Sequence, residues 1–207
     1  MRRIETWLVR EPRQVAGTLL TVCAGIVLMG IITAEALYRG NYTTTHNTIS
    51  DLGANPLHAF TLRPSAVVFD VTMIAAGLLV LGSAYALHRA FGWWRLTIPM
   101  TLFGIGVIGV GFVPENVGAL HTGFAGTAFI GGAVSAIASY HVGRAPFREL
   151  SVVLGCVSLV ALATSAFAIS EPVGFLGTGG IERWIVYPVT IWVAAFGGYL
   201  LAQPAHG

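Results

Sequence analysis

Six apolar runs of about twenty residues each occupy most of this 207-residue chain. No feature constrains the fold more, because a hydrocarbon layer about 30 Å thick takes roughly 20 residues of helix to cross. Hydrophobic residues make up 55% of the chain and charged ones 10%, far below the roughly 25% charged typical of water-soluble domains. Within lipid, only a helix satisfies all its backbone groups inside one segment. The expectation is therefore an all-α integral membrane bundle of six transmembrane helices. The runs are Val15 to Leu37, Ser65 to Leu87, Leu96 to Val113, Leu120 to Val142, Val152 to Ile169 and Trp184 to Ala202. They form one domain over 15–202, preceded by a segment at 1–14, interrupted by a polar loop at 38–64 and followed by a tail at 203–207.

Six spans put both termini on one side. Arg2, Arg3, Arg10, Arg13, Arg89, Arg95, Arg144 and Arg148 fall on that side, against Arg39, Arg63 and Arg183 on the other. The positive-inside rule then places the termini in the cytoplasm. Ile4, Trp7 and Leu8 recur at i, i+3, i+4 beside arginines, a spacing that suits a short interfacial helix or a plain basic tail. Thr33-Ala34-Glu35-Ala36 resembles a signal-peptide cleavage pattern, but the apolar run before it exceeds the usual 7–15 residues. A retained first helix is expected. All eleven basic residues are arginine and are scattered, so no nucleic-acid partner is implied. Membrane lipids are the expected partners.

The acids are divided unevenly. Glu35, Asp51, Asp70, Glu115, Glu171 and Glu182 map to the outer side, whereas Glu5, Glu11 and Glu149 map to the inner. His46, His58 and His121 join the outer group. Glu35, Glu115 and Glu171 fall near helix C-termini, and Arg63, His121 and Arg183 near N-termini, each against the helix dipole. Such groups need partners, and the hairpin order predicts Glu35 with Arg63, Glu115 with His121 and Glu171 with Arg183. Glu115-Asn-Val-Gly-Ala-Leu120 and Glu171-Pro-Val-Gly-Phe-Leu176 share E-x-V-G-x-L after helices three and five. Asp70 lies about 9 Å inside helix two at 1.5 Å per residue. Its cost in lipid predicts that it faces the bundle interior, either as a ligand-binding acid or as an interhelical clasp.

The densest polar stretch is Asn41-Tyr-Thr-Thr-Thr-His46-Asn47-Thr-Ile-Ser50-Asp51-Leu-Gly53, which is expected to form a turn or short helix folded over the bundle. His46 to Gly53 (H-N-T-I-S-D-L-G), Phe112-Val-Pro-Glu115 followed by His121, and Ile181-Glu-Arg183-Trp followed by Trp192 together resemble the prokaryotic membrane family called domain of unknown function 998. The resemblance covers all six spans, implies a prokaryotic plasma-membrane location, and extends distantly to the eukaryotic Frag1/DRAM/Sfk1 proteins, some associated with lipid handling. It implies that His46, Asn47, Ser50, Asp51, Gly53, Pro114, His121, Glu182 and Arg183 are the family's marked positions. It brings no reaction, cofactor or catalytic residue with it.

Three kinds of chemistry compete for these residues. An outward-facing pocket of His46, Asn47, Ser50, Asp51, Arg63, Asp70, Glu115, His121, Glu182 and Arg183 would bind or process an amphiphile, with the arginines attracting phosphate. His46, Asp51 and His121 with Glu115 or Glu182 offer nitrogen and oxygen metal donors, but no H-x-x-x-H or H-E-x-x-H spacing sets two on one helical face. Ser50 with His46 or His121 and an acid would make a serine hydrolase. A structural role or small-solute transport needs no such site.

Several other features read as packing. Gly104-x-Gly106-x-x-Gly109-x-Gly111 matches a dinucleotide fingerprint in form alone, since no strand precedes it, and small residues let membrane helices approach. Gly131-Gly132 and Gly197-Gly198 fit the same account. Cys23 and Cys156 are expected to pack, Trp93, Trp94, Trp184 and Tyr187 to anchor at the interfaces, Trp192 to be buried, and Pro99 and Pro188 to bend their helices.

Overall fold

The computed structural model describes residues 11–53, 64–166 and 171–203, without the side chains of 171–173. The segment holding Ile4, Trp7 and Leu8 lies outside the described residues, as do His58 and Arg63. Six helices are long and apolar enough to cross a membrane: α1 (Pro12–Leu37), α2 (Pro64–Phe91), α3 (Trp94–Phe112), α4 (Ala119–Ala138), α5 (Phe147–Ala166) and α6 (Gly177–Leu201). Single 3₁₀ turns at Ser50–Leu52, Glu115–Val117 and Ser139–His141 and a longer one at Glu171–Leu176 cover connections. Both E-x-V-G-x-L copies thus open on a 3₁₀ turn, but they then diverge, since Gly118 at φ +72° ends the first turn before α4 whereas the second continues through Gly174 to Leu176.

Each helix packs on its neighbours in sequence, and α1 closes the ring against α6. Gly17 on α1 faces Gly197 and Leu201 on α6, so the start of α1 and the end of α6 share one end of the bundle. Large apolar side chains such as Met29, Val71, Leu78 and Val160 remain exposed around the outside, the pattern of a bundle solvated by lipid rather than water. The core holds Leu20, Ile31, Phe69, Met100, Trp192 and Phe196. Trp192 is fully buried and its indole donates to Ser139 Oγ at 3.0 Å, which satisfies its one polar atom.

The α3 glycines divide between two neighbours. A Cβ on Gly104 would meet Leu81 and the Gly77 carbonyl of α2, and one on Gly111 would lie 2.8 Å from the Asp70 carbonyl. On the other face, a Cβ on Gly106 would lie 2.5 Å from the Ala128 nitrogen of α4, and one on Gly109 would strike the Phe124 ring. The fingerprint-like run is a two-sided helix contact.

The main departure from expectation concerns α6, which starts at Gly177 rather than Trp184. Gly-Thr-Gly-Gly is a poor helix former by itself, and tertiary contact overrides it. Arg183 therefore lies well inside α6 instead of at its start, and Pro188 stands mid-helix. Helix α5 begins at Phe147, five residues before the expected Val152. It buries only the narrow stripe Phe147, Ser151, Gly155 and Ser158 and docks through Ser158 Oγ, which donates to the Ile185 carbonyl at 2.7 Å.

Candidate functional site

The polar loop after α1 folds back over the bundle and is tied to α6. Gly179 admits it, because a Cβ there would overlap the Asn47 carbonyl and lie 2.6 Å from that of Thr44. Gly177 adopts φ +64°, a conformation glycine reaches without strain, directly beneath the Thr45 carbonyl. The Gly179 amide then donates to the Thr45 carbonyl at 3.1 Å and Thr178 Oγ1 to that of His46 at 3.0 Å.

Arg183 locks the arrangement. Its Nη1 donates to the carbonyls of Thr44, Asn47 and Gly179 at 2.9–3.1 Å. Its Nη2 donates to Glu35 Oε1 and Tyr42 Oη, both at 2.7 Å, and the guanidinium carbon lies 5.7 Å from the Tyr42 ring centroid. The Arg183 side chain is only 11% exposed. Burial pushes the Tyr42 phenol up to about 12, against the opposing pull of Arg183, so Tyr42 stays protonated and donates to the Thr48 carbonyl at 2.8 Å. Arg183 thus pairs with Glu35, the acid expected to meet Arg63, across the directly packed α1 and α6. Arg63 and the Glu171 side chain lie outside the described residues, and the third expected pair, Glu115 with His121, is close enough to interact electrostatically.

The clamped loop delivers the turn Ser50–Leu52 to the end of the bundle. Asp51 caps it, accepting from the Thr48 amide at 2.9 Å and from Asn47 Nδ2 at 3.1 Å, an ordinary turn device. Thr48 Oγ1 donates to Glu115 Oε2 at 3.3 Å. Burial, followed by the neighbouring Asp51 and Glu182 carboxylates, raises Glu115 to about 7.

Beside this turn, three side chains from three distant parts of the chain meet. Ser50 Oγ is 3.2 Å from His121 Nε2 and 3.0 Å from Glu182 Oε1. Glu182 Oε2 accepts the Ile49 amide. His121, 4% exposed, sets its Nδ1 2.6 Å from the Val113 carbonyl. A carbonyl only accepts, so Nδ1 carries a proton, and Nε2 is an acceptor whenever the ring is neutral. One Ser50 hydroxyl proton cannot serve both neighbours. The two contacts are hydrogen bonds together only if His121 Nε2 or Glu182 is also protonated, which makes the row a three-member chain sharing a proton.

Beneath it lies a cavity of about 90 Å³ among α1, α2, α3, α4 and α6. Its walls include Cys23, Phe69, Met73, Val107, Phe129 and Val193, and Ser50 and Glu182 are its polar lining at the loop end. From Glu182 to Val193 the wall of α6 runs roughly 16 Å at about 1.5 Å per residue. Cys23 is buried in this wall, as a packing cysteine would be.

Of the candidate residues, Ser50, His121 and Glu182 converge, with Asn47, Asp51 and Glu115 around them. His46 is exposed and lends its backbone. Asp70 lies on the other flank of the turn, its carboxylate 2.9 Å from where a Gly53 Cβ would stand, and it bonds to neither His121 nor Arg183. Among the described residues no three His, Cys, Asp or Glu side chains gather as metal ligands. The sequence reading missed Tyr42, Thr48, the Val113 carbonyl and Gly177 to Gly179. The Gly-Thr-Gly-Gly run just before Glu182-Arg183 was the one available signal for the last of these.

A family model described as Protein of unknown function (DUF998) matches residues 21–199, a stretch that includes every member of the Ser50, His121 and Glu182 cluster. No curated protein matches the chain, and no solved structure does. The distant likeness to the Frag1/DRAM/Sfk1 proteins gains no support from these comparisons. On the match across most of its length, this chain belongs to the DUF998 family.

Proposed function

We propose that this protein holds a membrane amphiphile, with the apolar chain in the cavity and the polar head at Ser50, His121 and Glu182. One observation carries the reading: the bundle's cavity is walled almost wholly by apolar side chains, with Thr190 the polar exception at depth and Ser50 and Glu182 at the loop end. An apolar cavity resists water and welcomes hydrocarbon, and a few convergent polar groups fix orientation. Arg183 is excluded as the phosphate-attracting group, since both of its terminal nitrogens are engaged by the loop and Glu35. The head group this site favours is one that exchanges hydrogen bonds with a hydroxyl, an imidazole and a carboxyl. An ester or an alcohol fits better than a bare anion.

Native mass spectrometry of the detergent-purified protein tests this. Wild type is expected to carry retained lipid, and Val107→Phe, which fills the cavity wall, to lose at least tenfold of it. Equal retention by both would overturn the reading.

A further inference from the structure

We propose that Ser50 is a nucleophile and His121 its general base, and that the amphiphile is an acyl ester of a membrane lipid, cleaved at the polar end of the cavity. The proposal rests on the amphiphile reading and specifies what happens to the bound molecule. Three independent features support it. His121 Nε2 lies 3.2 Å from Ser50 Oγ, at the long end of the roughly 2.6–3.2 Å reach of a working base, and such contacts are often loose without substrate. The imidazole is fixed by Val113 in the tautomer that leaves Nε2 able to accept, the orienting role that a carboxylate fills in a serine triad. Finally, Ser50 lines the apolar cavity itself, so a chain lying in the cavity brings its carboxyl-end carbonyl to the hydroxyl.

The acid stands in an unusual place. Glu182 contacts the nucleophile rather than the base, accepting from Ser50 Oγ at 3.0 Å. The hydroxyl therefore turns its proton from Glu182 to His121 Nε2 before attack, and Glu182 is a positioning residue that holds Ser50 Oγ beside the base.

The chemistry balances without a further reactant except water. Ser50 Oγ attacks the ester carbonyl carbon while its proton passes to His121 Nε2. The tetrahedral carbon then expels the alcohol, which takes that proton from Nε2, and an acyl-Ser50 ester remains. Water attacks this ester, its proton goes to Nε2 and on to Ser50 Oγ, and free carboxylic acid leaves.

The test uses the full chain in lipid nanodiscs, treated with dodecyl fluorophosphonate, which forms a phosphonyl ester on an activated serine and releases fluoride. Adducts are mapped by peptide mass spectrometry, and retained lipid is measured in parallel on the same preparations. We expect one adduct, on Ser50, formed about 100-fold more slowly in His121→Gln, the usual scale for removing a general base. Glu182→Ala, which removes the side chain that positions Ser50 Oγ, should label more slowly than wild type, and Glu182→Gln, whose amide keeps hydrogen-bonding partners for Ser50 and Ile49, should recover part of that rate. A cooperative thermal melt of His121→Gln in the nanodisc serves as the check that it is folded. Lipid retained with no adduct on Ser50 would overturn the nucleophile and leave the binding reading standing. Absence of both lipid and adduct would overturn the two together. Unchanged labelling in His121→Gln with loss in Glu182→Gln would overturn the assignment of the base.

Discussion

At the residue scale, the polar groups at the loop end divide by what occupies their hydrogen-bonding capacity. Arg183 spends its terminal nitrogens on three carbonyls, a phenol and a carboxylate. Arg183→Ala is expected to destabilise by about 3–5 kcal/mol, the range for removing one partner of a buried ion pair. Arg183→Lys, lacking the fork, should recover less than half of that. Thermal melts in detergent measure both. Glu115 yields a pH signature, since its folded value of about 7 stands above its ordinary 4.5. The folded state therefore binds more protons than the unfolded chain between those two values, and stability falls as pH rises through that window. Melting temperature should drop between pH 5 and 8, and Glu115→Gln should flatten that slope. A wild-type slope of the opposite sign would refute the burial of this carboxyl.

At the element scale, the loop after α1 is held on α6 by backbone that lacks side chains at the point of contact. Gly179→Ala would drive a methyl into the Asn47 and Thr44 carbonyls and lift the loop while leaving the helices packed. Hydrogen exchange should then speed up at least tenfold at residues 43–48 and stay unchanged in α2 and α3. Gly109→Ala differs in kind, because its Cβ would strike the Phe124 ring across a helix pair. The expected cost is about 1–3 kcal/mol of overpacking, seen as a lower melting temperature with the loop still protected. The cavity depends on the same packing. Helix α5 lines none of it, so substitutions on the exposed face of α5, such as Val160→Ala, should leave lipid retention intact.

At the scale of the whole molecule, six spanning helices place residues 43–48 and the turn around Ala145 at opposite ends. The arginine count predicts that Ala145 faces the cytoplasm. Single cysteines at Thr45 and Ala145, in a background lacking Cys23 and Cys156, should react with a membrane-impermeant maleimide from opposite sides. Labelling of both from one side would break the six-span topology. The spans themselves were legible in the chain because lipid imposes one rule on every segment: twenty apolar residues, helical, with ends marked by arginine and tryptophan. Candidate residues at the loop end were legible for the same reason, since polar groups in so apolar a chain stand out. Their grouping was not. The pairing of Glu35 with Arg183, the start of α6 at Gly177 and the meeting of Ser50 with His121 and Glu182 depend on contacts between residues 70–150 positions apart, about which helical periodicity says nothing. Sequence alone determined that six segments of this chain are long and apolar enough to cross a membrane, and that most of its acids map to one end of them, because burial in hydrocarbon acts on each segment separately. Only the tertiary structure decided which of those side chains clamp the loop and which close the cavity, because that choice depends on how α1, α4 and α6 pack around a loop that glycines allow to come close.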